Sequence, residues 1–178
     1  MNHYKIIFTG PVGAGKTTAI SSISDINVVK TDESATDMTK QRKEATTVAM
    51  DYGAISLEGG ERIHLYGTPG QERFNFMWDI LTQGGLGLVL LLDNTRADPF
   101  QDMRFFLTSF DSFIAERKLV IGVTQMDLQA TPTLDDYYEN IKQFGLNPPI
   151  FEVDARNKKD VSLLTQALLY SLDPWLGE

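Results

Sequence analysis

The chain predicts an α/β fold: a doubly wound, mostly parallel sheet of six strands with one antiparallel strand and helices on both faces. Three observations predict it. A glycine-rich run, Gly10-Pro11-Val12-Gly13-Ala14-Gly15-Lys16-Thr17, follows the apolar segment Tyr4-Lys5-Ile6-Ile7-Phe8 and precedes a helical pattern, so a buried strand hands the chain to a helix there. Apolar runs at 87–93, 118–124 and 149–153 are short and nearly continuous, as parallel strands covered on both faces are. Segments with apolar residues at three- and four-residue spacing separate them.

The first strand ends in a loop whose chemistry is specific. Glycines let backbone N–H groups turn inward around phosphates, and the following helix points its positive N-terminus at them. Gly10, Gly13, Ala14 and Gly15 form that cradle, with Thr18 on the next turn; Lys16 reaches the outer phosphates and the Thr17 hydroxyl can hold Mg²⁺. The loop predicts a nucleoside triphosphate ligand. A polar stretch, 30–46, follows the first helix and is too rich in Thr, Asp, Glu and Lys to be core. Residues 47–58 and 61–67 flank Gly59-Gly60 and read as an antiparallel hairpin, since a two-glycine turn suits that connection. Helices are expected over 98–116, 133–144 and 158–172, the first opened by Asp98-Pro99. In such a sheet the ligand lies beyond the carboxyl ends of the strands, where the glycine-rich loop falls.

Composition narrows the function classes. The 178 residues, 42% of them hydrophobic, can bury one good core, and the expected organisation is a single domain over 1–178. The absence of cysteine excludes disulfides, thiolate nucleophiles, cysteine-ligated zinc and cysteine-linked lipid anchors. The opening Met1-Asn2-His3-Tyr4-Lys5 has no signal-peptide pattern and no glycine for myristoylation, so a soluble cytoplasmic protein is expected. A net charge of −8 argues against nucleic acid as a partner, because no basic stripe is available to displace counterions.

After the third strand the sequence reads Leu65-Tyr66-Gly67-Thr68-Pro69-Gly70-Gln71-Glu72-Arg73-Phe74. Further on stand Thr124-Gln125-Met126-Asp127 and Asp154-Ala155-Arg156. With these the chain resembles the Ras/Rab-like small GTPases over nearly its whole length, matching their Asp-Thr-Ala-Gly-Gln-Glu, Asn-Lys-x-Asp and Ser-Ala-Lys segments in order. The resemblance implies a P-loop NTPase fold of Ras-like type, a GTP/GDP ligand with Mg²⁺, and slow hydrolysis of GTP that awaits an activating partner. Gly70 would donate its N–H to the γ-phosphate and Gln71 would orient the attacking water. Asp127 can accept hydrogen bonds from guanine N1–H and N2–H, a donor pair adenine lacks on that edge. Thr124 stands where Asn is usual and Gln125 replaces the Lys whose stem covers the base. Ala155 would offer its N–H to the guanine oxygen, with Arg156 beside it. Residues 47–52 look like the Rab switch I strand, so Thr47 would close on Mg²⁺ and the γ-phosphate; Thr46 is the alternative one residue earlier. Catalysis then falls to Gln71, Lys16 and Thr47, and the metal to Thr17 and Thr47.

The departures indicate subtype. Gly67 stands where the family has an Asp that holds a Mg²⁺-bound water, which implies weak Mg²⁺ binding unless Asp51 or a switch I carboxylate compensates. The Pro69-Gly70-Gln71 run resembles the bacterial gliding-motility and polarity GTPases, which also lack that Asp. Their activators are Roadblock-domain proteins, and Val12 occupies the position where bulk obstructs an arginine finger supplied in trans. A cis arginine is left open, with Thr46 at its usual place and Arg42 and Lys43 nearby. Phe74, Phe76 and Trp78 are either an effector and activator surface at switch II or, for Trp78 above all, helix-to-sheet packing. Asp135, Asp136 and Glu139 read as a solvated helix face, and His3 and His64, far apart in sequence, argue no metal site. The expected function is a GTP-hydrolysing switch in bacterial polarity, pili or motility. The alternative is a guanine-nucleotide-bound interaction module with little or no hydrolysis; a P-loop kinase is disfavoured because no Arg-rich lid is visible.

Overall fold

The structure is a computed structural model and describes residues 3–30, 50–69 and 78–172. Among the described residues seven strands form one sheet: β1 (His3–Thr9), β2 (Val29–Lys30), β3 (Asp51–Ser56), β4 (Arg62–Gly67), β5 (Gly87–Asp93), β6 (Lys118–Thr124) and β7 (Ile150–Glu152). Their spatial order is β2-β3-β4-β1-β5-β6-β7. Only β3 runs against the rest: it pairs antiparallel with β2 and β4, and every other pairing is parallel. The expected architecture holds, with a seventh strand added. That strand is two residues long, Val29–Lys30, too short to leave a periodic signal in the sequence.

The helices are α1 (Lys16–Ile23), α2 (Trp78–Thr82), α3 (Pro99–Ser109), α4 (Asp111–Glu116), α5 (Leu134–Ile141) and α6 (Lys158–Leu172). Alternation along the strands divides the core in two. Ile6, Phe8, Leu65, Val89, Leu91 and Val120 pack on one face with Ala19 and Ile20 of α1 and Leu164 and Leu168 of α6. Ile7, Leu88, Leu90, Leu92, Ile121 and Val123 pack on the other with Trp78, Met103, Phe106 and Tyr137 from α2, α3 and α5. All seven residues of β5 are buried, which is why it reads as a continuous apolar run.

Local signals account for most boundaries. The hairpin closes through a short 3₁₀ turn, Glu58–Gly60, in which Gly59 and Gly60 take φ of 86° and 83°, a region open chiefly to glycine. The strand expected over 47–58 is shorter at its end, since Ser56 is the last residue of β3. Asp98 caps α3 by accepting from the Gln101 N–H at 3.1 Å, and Pro99 follows in the first turn. The single helix expected over 98–116 is two, because the backbone leaves helical geometry at Phe110 (φ −106°, ψ 18°). That break seats the Phe110 ring on Trp78, centroids 4.8 Å apart. Thr133 and Asp136 form a reciprocal capping box that starts α5, so Asp136 has a structural role on an otherwise solvated face. His3 and His64, distant in sequence, are adjacent in space: β1 lies beside β4, and His3 Nδ1 is 2.9 Å from His64 Nε2, whose Nδ1 lies 2.7 Å from the Tyr52 hydroxyl. Among the described residues no group of three or more His, Cys, Asp or Glu is arranged to hold a metal. Nor is any helix there long and apolar enough to cross a membrane.

Trp78 resolves the choice between partner surface and packing. It is 2% exposed, stacked on Phe106 and Phe110 and edge-on to Phe105, while its Nε1–H finds no hydrogen-bond partner among the described residues. Phe74 and Phe76 lie outside the described residues. Trp78→Ala is expected to cost about 3–5 kcal/mol by emptying this stack. Trp78→Phe should cost much less, because it also removes a buried N–H left unpaired, a burden of about 1–3 kcal/mol. Urea denaturation checks the pair: equal losses for the two variants would mean the indole is not packed as described.

Candidate functional site

The glycine-rich loop joins β1 to α1 at the carboxyl edge of the sheet. Gly15, with φ of 98°, precedes α1 and offers no side-chain cap, so the first-turn amides of the helix have no side-chain acceptor from that position. A Cβ on Gly15 would sit 2.9 Å from the Ala155 Cβ, which limits this position to glycine on steric as well as backbone grounds. That close approach brings the loops after β1 and β7 together. Lys16 is 9% exposed and folds back over its own loop, donating to the carbonyls of Gly10 at 2.7 Å and Pro11 at 2.9 Å. Burial lowers its pKa to about 8, against an opposing contribution from the negative charge of Asp51. The Thr17 hydroxyl donates to the Asp51 carboxylate on β3. Hydroxyl and carboxylate oxygens together are the donor set a hard divalent cation such as Mg²⁺ takes, so the residues present fit that ion.

The end of β6 ties to this loop. Thr124 is buried, and its hydroxyl lies 3.0 Å from the Ala14 carbonyl and 3.2 Å from that of Leu92, linking the edges of β5 and β6 to the glycine-rich loop. Gln125 adopts φ of 63° and donates from Nε2 to the Gly13 carbonyl at 3.3 Å. The two residues that depart from Asn and Lys are therefore both used as fasteners between loops. Beyond β7, Arg156 donates to the Asp154 carboxylate through two guanidinium hydrogen bonds and its backbone N–H, each of 2.9 Å, which hold that carboxyl below its usual range. The Asp154 N–H in turn donates to Asp160 on α6 at 2.9 Å.

These loops enclose a cavity of about 570 Å³, a size suited to a nucleotide. Of the residues the sequence singles out, Gly13, Ala14, Gly15, Thr18, Thr124, Gln125, Asp127, Ala155 and Arg156 line it, together with Met126 and Leu128. Gly10, Lys16 and Thr17 do not: Lys16 is turned to the Gly10 and Pro11 carbonyls and Thr17 to Asp51. Thr47, its alternative Thr46, Gly70, Gln71, Arg42 and Lys43 lie outside the described residues.

Three contributors were not evident from the sequence. Asn94, fully buried after β5, donates from Nδ2 to the carbonyls of Gln129 at 2.7 Å and Pro132 at 3.0 Å and accepts from the Tyr137 hydroxyl at 2.8 Å. It thus braces the loop that follows Asp127, and burial pushes the Tyr137 phenol upward, keeping it a neutral donor. Asp160 shapes the Asp154–Arg156 turn, and Leu128, 72% exposed, supplies an apolar edge to the cavity.

An uncharacterized protein of Methanocaldococcus jannaschii is 29% identical over 98 residues, 55% of this chain and 56% of that protein, so the chain spans little more than half its length. The Ras-related protein Rab-1C of Dictyostelium discoideum is 28% identical over 159 residues, 85% of this chain and 72% of that protein. The Ras-related protein RABD2a of Arabidopsis thaliana is 24% identical over 176 residues, 95% of this chain and 79% of that protein. Among solved structures, the bacterial selenocysteine-specific elongation factor EF-Sec matches in fold with a TM-score of 0.69 at 22% identity, covering 97% of this chain and 30% of that one. A family model described as "conserved hypothetical ATP binding protein" matches residues 24–173, and the chain belongs to that family.

Proposed function

We propose that this protein is a guanine-nucleotide switch of the small GTPase superfamily that binds GTP and hydrolyses it to GDP. One observation carries the reading: a single cavity is lined both by Gly13, Gly15 and Thr18 of the glycine-rich loop and by Asp127 and Ala155 from the loops after β6 and β7. A phosphate cradle and a carboxylate able to pair with guanine therefore share one site of nucleotide size. The similarity to Ras-related proteins supports nucleotide binding and the superfamily. The family description names ATP, and the choice between bases rests on Asp127.

In this reading the loop amides and Lys16 bind the phosphates, and Ala155 and Asp127 read the base. Lys16 leaves the Gly10 and Pro11 carbonyls for the phosphates when they arrive. Mg²⁺, held by Thr17 and by Thr47, would neutralise charge on the phosphates. Gln71 orients the attacking water and Gly70 meets the γ-phosphate, so that loss of this group releases the segments carrying Thr47 and Gln71. The partners are an effector and a Roadblock-domain activator on those segments, in a process of the bacterial polarity or motility type. Val12, 59% exposed in the glycine-rich loop, supports activation without a finger inserted in trans. It also motivates a second reading, a guanine-nucleotide-bound interaction module that barely hydrolyses.

Single-turnover assays with GTP, and with ATP as control, over a Mg²⁺ series test the proposal. GTP loss without ATP loss is expected, and Gln71→Leu should slow it while leaving affinity near wild type. Nucleotide bound tightly with no turnover favours the interaction module, and unaltered turnover in Gln71→Leu removes that residue from its role.

Asp127→Asn is expected to weaken GDP binding by about 10–100-fold, the worth of a hydrogen bond to a charged group, and to raise the relative affinity for xanthine nucleotides. Competition binding reads both effects, and unchanged GDP affinity would remove the base-reading assignment.

The Lys16 amine supplies a pH dependence. Its pKa in the free protein is lowered to about 8, whereas bound phosphates favour the charged amine, so binding above that pH takes up a proton. Affinity is therefore expected to fall as pH rises through about 8. Calorimetry in buffers of different ionisation enthalpy measures the proton uptake, and none at pH 9 would contradict this account.

A further inference from the structure

The antiparallel register of the β3–β4 hairpin sets Asp51 directly opposite Gly67. From that place the Asp51 carboxylate accepts the hydrogen bond of the Thr17 hydroxyl in the first turn of α1. A Cβ built on Gly67 would lie 3.2 Å from the Asp51 Cβ, 3.4 Å from its Oδ2 and 3.2 Å from the Ile20 Cδ1. The volume that a side chain at 67 would enter is thus already taken by the carboxylate from the neighbouring strand.

We propose that Asp51, reaching across the ladder from β3, is the carboxylate that serves a Mg²⁺ ion at the Thr17 hydroxyl, and that Gly67 is side-chain-free because Asp51 fills its space. The acidic group is transposed from the end of β4 to the start of β3 without leaving the site. This rests on the reading that the cavity takes a nucleoside phosphate. Mg²⁺ is bound through one or two carboxylates, retained waters and substrate phosphate oxygens, and Asp51 supplies the carboxylate of that set beside the Thr17 hydroxyl. Asp51 is a positioning and charge-supplying group here and touches no reacting atom. A weak Mg²⁺ site, implied by Gly67 alone, is therefore not expected.

The test is the Mg²⁺ dependence of GDP affinity, read with a fluorescent GDP analogue in millimolar Mg²⁺ and in EDTA, with bound Mn²⁺ followed by electron paramagnetic resonance. Asp51→Asn keeps an acceptor for Thr17 and removes the charge. The wild-type protein is expected to bind GDP more tightly with Mg²⁺ than with EDTA, and Asp51→Asn should cut that ratio by about 10–100-fold, with the EDTA affinity equal or higher. The bound Mn²⁺ signal should weaken in parallel. A ratio unchanged in Asp51→Asn, or no Mg²⁺ effect in the wild-type protein, overturns the proposal while leaving nucleotide binding intact. If Asp51→Asn does not fold, the exchange Asp51→Gly with Gly67→Asp decides: a regained Mg²⁺ effect supports it and none overturns it. Absence of any bound GDP with or without Mg²⁺ overturns the nucleotide reading, and this proposal with it.

Discussion

The hydroxyl of Thr124 is the point on which the arrangement of the site turns. It lies at the end of a buried strand and within hydrogen-bond reach of two carbonyls, Ala14 in the glycine-rich loop and Leu92 at the end of β5. Three chain segments far apart in sequence are thereby held together at the carboxyl edge of the sheet. A parallel sheet provides this edge because successive strands all finish on the same side. The sheet alone leaves the loops free to splay. The Thr124 contacts, the Gln125–Gly13 bond and the close approach of Gly15 to Ala155 prevent that, so the cavity owes its shape to main-chain carbonyls as much as to side chains.

Buried polarity is concentrated around the same edge. Asn94 has both ends of its amide satisfied, by two carbonyls and a phenol, and Tyr137 buries its ring in the core while its hydroxyl completes that set. An amide at 0% exposure is tolerable only with such partners, since an unpaired one would carry its full desolvation cost. Lys16 follows the same logic, borrowing loop carbonyls as acceptors. Its lowered pKa is the electrostatic counterpart of that burial.

What was legible in the sequence depended on the distance over which its cause acts. Strands β5 and β6 carry their boundaries in continuous apolar runs, and the Gly59-Gly60 turn announces itself because few residues take its dihedrals. The residues lining the cavity were legible where chemistry restricts residue type, as at Gly13, Gly15 and Asp127. Pairings set by strand register were not. His3 beside His64 and Asn94 beneath Tyr137 are separated in sequence by 61 and 43 positions, and no local pattern encodes them; Asp51 stood in the sequence as one candidate to offset Gly67, and the register that sets the two face to face came from the fold. The break at Phe110 belongs to the same class: the helical spacing runs through it, and the ring's stacking on Trp78 accompanies the departure. Thr124 and Gln125 read from sequence as losses of Asn and Lys; their contacts to Ala14 and Gly13 appear only once β6 and β1 are placed two strands apart.

The indole of Trp78 gives the molecule an optical handle. It is enclosed by three phenyl rings, screened from water and without a hydrogen-bonding partner among the described residues, the surroundings in which tryptophan emits at short wavelength. The chain carries one other tryptophan, Trp175, which makes replacement of that residue enough to leave a single native chromophore. Changes in the packing of this aromatic stack can then be followed as a change of colour and intensity, without attaching a dye.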